Sequence, residues 1–172
     1  TNNFWNEAVV LGNIQSILAH YMGTPPTEVT ANGTSMSPKQ YMTDVLKLKP
    51  EEYVNFMSLK QSPYWQQAEY DVPDNWWNSD DYYNVPLNDF MGGLKEALKS
   101  GYSISLGGDV SESGYLPQQD VAIVPSYDIP SEYINEDARQ LRFSNGSTTD
   151  DHAIHLIGYT DNSSGTWFLI KD

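Results

Sequence analysis

Apolar side chains recur at helical spacing from Glu7 to Tyr21: Val10, Ile14, Ile17, Leu18 and Tyr21 predict an amphipathic helix, and Gly23 before Pro25-Pro26 supplies its stop. Thr24 to Ser35, rich in Thr, Pro, Gly and Asn, reads as a surface loop. Ser37 then opens a second helix, with Pro38 in the first helical position and Gln40 completing a capping box; Tyr41, Val45 and Leu48 are expected to face inward. A third helix is marked by Leu87, Phe90, Met91, Leu94, Ala97 and Leu98 and ended by Gly101. Period-two alternation from Tyr102 to Leu106 predicts a strand closed by Gly107-Gly108-Asp109, and Val121 to Val124 a shorter one. Asn135 can cap a short helical turn through Leu141, with acids at its start and Arg142 at its end. The clearest feature is a hairpin: Ala153 to Tyr159 and Thr166 to Ile170 flank a five-residue loop, Asp161 to Gly165. Helices feeding antiparallel strands give an α+β layout.

The stretch from Glu51 to Pro86 breaks these periods. Beyond a possible strand at Tyr53 to Met57, it sets Pro63, Tyr64, Trp65, Tyr70, Trp76, Trp77, Tyr82 and Tyr83 among Asp and Asn. This composition predicts an ordered, irregular excursion pinned by ring burial, with a ligand platform of exposed rings as the alternative. The expected organisation is one partial domain over 1–172: a helical portion (1–50), the aromatic-rich excursion (51–86), and a helix with an antiparallel β lobe (87–172).

Composition narrows the chemistry. Nine Lys and Arg against 23 Asp and Glu give a formal charge of −14 over 172 residues, which excludes a nucleic-acid binder resting on a basic face. Five Trp and twelve Tyr are too much ring surface for a disordered acidic tail. With no Cys, these residues form no disulfide, thiolate zinc site or cysteine nucleophile. Apolar runs such as Ala8 to Leu11 fall far short of the ~20 residues that cross a bilayer. The start, Thr1 to Trp5, has no basic region ahead of a hydrophobic stretch, so no signal peptide is expected there.

The candidate chemistry gathers at the C-terminal hairpin. If Thr160 pairs with Thr166, Asp172 falls opposite Ile154 and diagonal to His152 on one face. Diagonal neighbours lie ~7 to 8 Å apart at the backbone, within reach of an imidazole and a carboxylate. Asp172 would hold one ring nitrogen and leave the other free as a general base. A metal site built on His152 and His155 with Asp150 and Asp151 competes. Residues three apart on a strand point to opposite faces, so two such rings cannot share an ion. His155 reads instead as a packed core histidine, and His20 as a dipole partner at the end of the first helix.

The run from Asp151 to Tyr159 followed by Trp167 to Asp172 resembles the histidine strand and the following strand of papain-like cysteine peptidases. Upstream, Met22-Gly23-Thr24-Pro25-Pro26, Met36 to Tyr41, Tyr83 to Leu87 and Gly107-Gly108-Asp109-Val110 resemble, in order, the bleomycin hydrolase and aminopeptidase C branch. The resemblance implies a papain-like fold, here in part, and peptide-bond hydrolysis without a cofactor. It makes His152 the base that takes the thiol proton and later protonates the leaving amine. Asp172 stands where the family usually has Asn; a carboxylate there orients the ring and favours imidazolium more strongly. The resemblance also makes Asp151 the acidic neighbour that assists His152, and sets Ala153 and Ser105 where the pocket for the second substrate residue is lined. It implies a peptide substrate, an upstream lobe carrying the cysteine and its glutamine, and a ring-like hexamer. As written, the chain cannot hydrolyse a peptide by this route, because no thiol is present to activate. Two other readings remain open: an acidic, aromatic-rich module binding carbohydrate or peptide, slightly favoured by Asn-x-Ser/Thr sequons at Asn32, Asn145 and Asn162, and a noncatalytic relative.

Overall fold

Asn6 caps the first helix through its side chain, whose Oδ1 accepts from Val9 N at 3.2 Å, and α1 runs Glu7–Met22 with His20 in its last turn. Gly23, at φ 81°, ends it in the left-handed region. The computed structural model describes residues 6–124, 126 and 129–172, so the reading of Thr1 to Trp5 lies outside the described residues. The chain divides into two units, Thr1–Tyr53 and Val54–Asp172.

In the first unit, the expected loop is in fact a hairpin. β1 (Val29–Ala31) and β2 (Thr34–Met36) pair antiparallel across Asn32-Gly33, whose φ values of 52° and 78° are the paired positive angles that an Asn-Gly turn supplies. The capping box forms as read: Ser37 Oγ accepts from Gln40 N at 3.2 Å, and Gln40 Oε1 accepts from Ser37 N at 2.9 Å. The helix it opens, α2 (Pro38–Gln40), lasts one turn and passes into a π turn, Tyr41–Val45. Tyr41 is half-buried, whereas Val45 and Leu48 are exposed, contrary to the inward face expected of all three. Nor is α1 one-sided: Val9, Val10 and Leu11 follow one another round its circumference, and no residue of it is buried.

The second unit holds two three-stranded sheets and a small ribbon. β3 (Asn55–Met57) pairs parallel and β4 (Gln66–Ala68) antiparallel with the central β5 (Tyr82–Asn84). α3 (Leu87–Lys99) leads through Gly101, at φ 88°, into β6 (Ile104–Gly108). β7 (Tyr115–Leu116) and β8 (Val121–Ala122) make a ribbon, and α4 (Glu136–Ser144) precedes β9 (His152–Asn162) and β10 (Gly165–Lys171). In the second sheet β9 is central, antiparallel to both β6 and β10. Its covered face carries Ile104, Leu106, Ile154 and Leu156, the last only 2 % exposed. The architecture is mixed α+β with small, mainly antiparallel sheets.

Rings pin the irregular excursion only in part: half-buried Tyr70 packs on Tyr82 at 5.5 Å and stacks on Phe143 at 6.4 Å, but the Trp side chains do not contribute. Trp65, Trp76 and Trp77 stand 66 %, 80 % and 61 % exposed. Buried amides do the rest. Asn84, fully buried, accepts from Leu59 N at 2.8 Å and donates to the carbonyls of Leu59, Ser62 and Pro63. Asn75, 4 % exposed, donates to Tyr70 O and Ser79 O and accepts from Ser79 N. Each serves as a surrogate strand for a loop with no ladder of its own. α3 is capped from a distance. Pro86 offers no side-chain cap, so Glu136 Oε1 accepts from Leu87 N at 2.7 Å and from Tyr64 Oη at 2.8 Å. Burial pushes the Glu136 carboxyl up, but these hydrogen bonds and the nearby Arg139 outweigh it and hold it below its ordinary value.

Candidate active site

The geometry of the site follows from how β9 and β10 are paired. The five-residue loop shrinks to a two-residue turn, Ser163-Ser164, with Asn162 Oδ1 accepting from Ser164 N at 2.8 Å and Gly165 at φ 122°. Thr166 therefore pairs with Asp161, not Thr160. Left uninterrupted, that register would run Asp172 onto His155 and the opposite face of the sheet. A bulge intervenes: Leu169 pairs with Gly158 but Ile170 with Leu156, so Ile157 has no partner and the pairing below it moves by one. Asp172 then continues opposite Ile154, on the face of His152. The expected juxtaposition arises from a different register plus a compensating irregularity.

His152 Nε2 meets Asp172 Oδ1 at 2.5 Å. The hydrogen bond and charge of Asp172 raise the histidine pKa above its ordinary 6.5, with a smaller contribution from Asp151. The carboxyl is lowered from 3.8 by His152 and then by Tyr115, whose Oη donates to the second carboxylate oxygen at 2.8 Å. The side chains remain 40 % and 52 % exposed, so the pair is open to solvent. Since Nε2 faces Asp172, Nδ1 is the nitrogen left for proton transfer.

His152 borders two adjoining clefts of the second unit. One, of about 710 Å³, is lined by Phe90, Met91, Leu94, Tyr115, Phe168 and Asp172. The other, of about 600 Å³, is bordered by Ser105, Ala153 and Asp150 among others. Ser105 pairs with His155, and Ala153 with Gly107, so Ser105 and Ala153 are diagonal neighbours on the exposed face, opposite that of His152. Asp151 does not touch the ring; its Oδ1 accepts from Val110 N at 3.1 Å and ties the loop after β6 to the start of β9. His155 is exposed, not packed in the core, because it alternates away from the covered face of β9. Asp150 packs over Gly107, where a Cβ would stand 3.0 Å from its carboxylate; burial, then Asp74, raises its pKa. Among the described residues, no group of three or more His, Asp and Glu could hold a metal, and no helix is long and apolar enough to cross a membrane.

Tyr115 escaped the sequence reading. It sits on a two-residue strand far from Asp172 along the chain, and no periodicity marks it.

The signs of the two shifts define a pH window. A raised His152 pKa gives stability that is full below pH 6.5 and lost as pH rises through the raised value. A lowered Asp172 pKa gives stability present above pH 3.8 and lost as pH falls through the lowered value. Between them both groups are charged. In Asp172→Asn, the His152 ring protons should titrate at lower pH by NMR, toward the ordinary histidine value; a titration unchanged from the parent would show that the two groups do not interact in solution.

No protein-family model matches the chain, and no curated protein does. Among solved structures it is similar to PepW from Lactobacillus rhamnosis HN001 (DR20), determined as the selenomethionine derivative, with a TM-score of 0.59 and 17 % identity. The match covers 92 % of this chain and 39 % of that one, so this chain spans well under half of PepW's length. Likeness at this identity shows the fold alone.

Proposed function

We propose that the chain supplies the base half of a cysteine-peptidase centre acting on peptides as an aminopeptidase. His152 is the general base and acid, Asp172 its orienting residue, and the thiol comes from a segment outside this sequence. The observation that carries this reading is the His152 to Asp172 contact at 2.5 Å, made through Nε2 at the edge of a cleft. A raised histidine pKa favours the imidazolium that a thiolate would pair with. Likeness of fold to PepW supports the architecture that this reading needs. On this reading Nδ1 takes the thiol proton and returns it to the leaving amine. Ser105 and Ala153, which border one of the two clefts that His152 also borders, would line the substrate side there, Asp151 would act at one remove by fixing the loop at Val110, and a ring-like hexamer would be the assembled form.

The test uses the full-length protein with an aminoacyl-aminomethylcoumarin substrate. Hydrolysis abolished by iodoacetamide is expected. Absence of hydrolysis, or hydrolysis that survives alkylation, overturns the reading.

A second reading keeps one observation in its favour: the exposed Trp65, Trp76 and Trp77 suit a binding module for carbohydrate or peptide. Trp76 and Trp77 meet edge to face at 85°, which gives no flat two-ring platform. A Trp76→Ala/Trp77→Ala variant that loses retention on an immobilised glycan, with no hydrolysis by the parent, would favour it.

A further inference from the structure

We propose that Tyr115 is a positioning residue for His152, acting through Asp172. The functional consequence rests on the reading above; the geometric one does not. Asp172 follows the last residue of β10, its side chain is half exposed, and nothing in the β9–β10 ladder fixes the rotation of its carboxylate. The two donors divide its oxygens: His152 Nε2 on Oδ1 at 2.5 Å and Tyr115 Oη on Oδ2 at 2.8 Å. With both oxygens engaged, the carboxylate plane is set, and with it the ring that it orients.

Tyr115 is itself held. Its N–H donates to Glu112 O at 3.0 Å, and across the ribbon it pairs with Ala122. Glu112 in turn takes an ion pair from Arg142 and a hydrogen bond from Thr148. Asp109 accepts from Thr149 N at 2.7 Å, and Asp151 from Val110 N. The loop that presents Tyr115 is thus stapled to the residues entering β9. Phenol, carboxylate and imidazole arrive on three segments, and the first and third are bound together independently of the second.

Two effects of the phenol pull the histidine in opposite directions, which makes the role measurable. As an electrostatic neighbour, Tyr115 draws charge from Asp172 and weakens its hold on His152, so Tyr115→Phe would raise the histidine pKa. As a positioning group it keeps the carboxylate on the ring, so its removal lets Asp172 swing into water and lowers that pKa. The proposal predicts the second outcome. The experiment is an NMR titration of His152 in this chain for the parent, Tyr115→Phe, Asp172→Ala and the double variant, with the denaturation midpoint recorded for each. A downward shift in Tyr115→Phe, smaller than in Asp172→Ala and absent when added to it, is expected with midpoints near the parent's. An upward shift, no shift, or an equal shift in the Asp172→Ala background overturns the proposal. In the full-length protein, Tyr115→Phe should lower kcat several-fold with KM unchanged; a KM effect alone would place Tyr115 in substrate binding. If the titration behaves as expected and the full-length protein hydrolyses nothing, the peptidase reading fails while the role of Tyr115 in the pair stands.

Discussion

Asn84→Ala should destabilise the second unit by about 3 to 5 kcal/mol, a large part of the ~5 to 15 kcal/mol that holds a domain folded. The side chain is fully buried and makes four hydrogen bonds to the backbone of residues 59 to 63. Truncation leaves one amide and three carbonyls without that partner, and buried groups left so cost ~1 to 3 kcal/mol each unless water reaches them. Asn84→Asp tests the donor half separately: a carboxylate can still accept from Leu59 N but has nothing to give Ser62 or Pro63. Urea denaturation checks both variants, and a loss under ~1 kcal/mol for Asn84→Ala would mean that solvent replaces the amide. Since β5 also anchors β3 and β4, the same change should loosen the sheet that it centres.

The second large effect concerns chemistry. In the full-length protein, His152→Ala should lower kcat for an aminoacyl-coumarin substrate by at least ~10³-fold, since a base that both activates the nucleophile and protonates the leaving group acts in both halves of the reaction. Folding should be little changed, because the ring is 40 % exposed and its partners are at the edge of the cleft. Circular dichroism and the denaturation midpoint would show an intact fold beside the lost turnover. Activity within tenfold of the parent would remove His152 from the mechanism.

Local chemistry was readable wherever it was local. The Ser37/Gln40 capping box, the Asn135 cap that accepts from Asp137 N and Ala138 N, and the α3 to β6 passage at Gly101 all lie within a few residues of their signals. The run from Thr24 to Ser35 read as a loop, its Asn32-Gly33 turn not singled out, because three-residue strands show no alternation. What failed was long-range. An Asn between Tyr83 and Val85, just ahead of Pro86, looks like a turn former, and only the tertiary structure brings Asn84 to the loop 25 residues before it. Ring-rich sequence suggested burial, but the amides take the interior and leave Trp76 at the surface. Ile157 is β-branched within a continuous apolar run, so nothing in its type announced an unpaired position.

That unpaired residue makes the two arms of the hairpin unequal in what they tolerate. β9 carries one spare position, and losing Ile157 would heal the ladder while keeping Leu156 against Ile170 and the acid beside its base. β10 has no such slack. Losing a single residue between Leu169 and Asp172 would deliver the carboxylate to the side of His155, leaving His152 alone however well the sheet survived. Length changes in this hairpin therefore carry a functional sign: neutral in one strand, fatal to the pairing in the other.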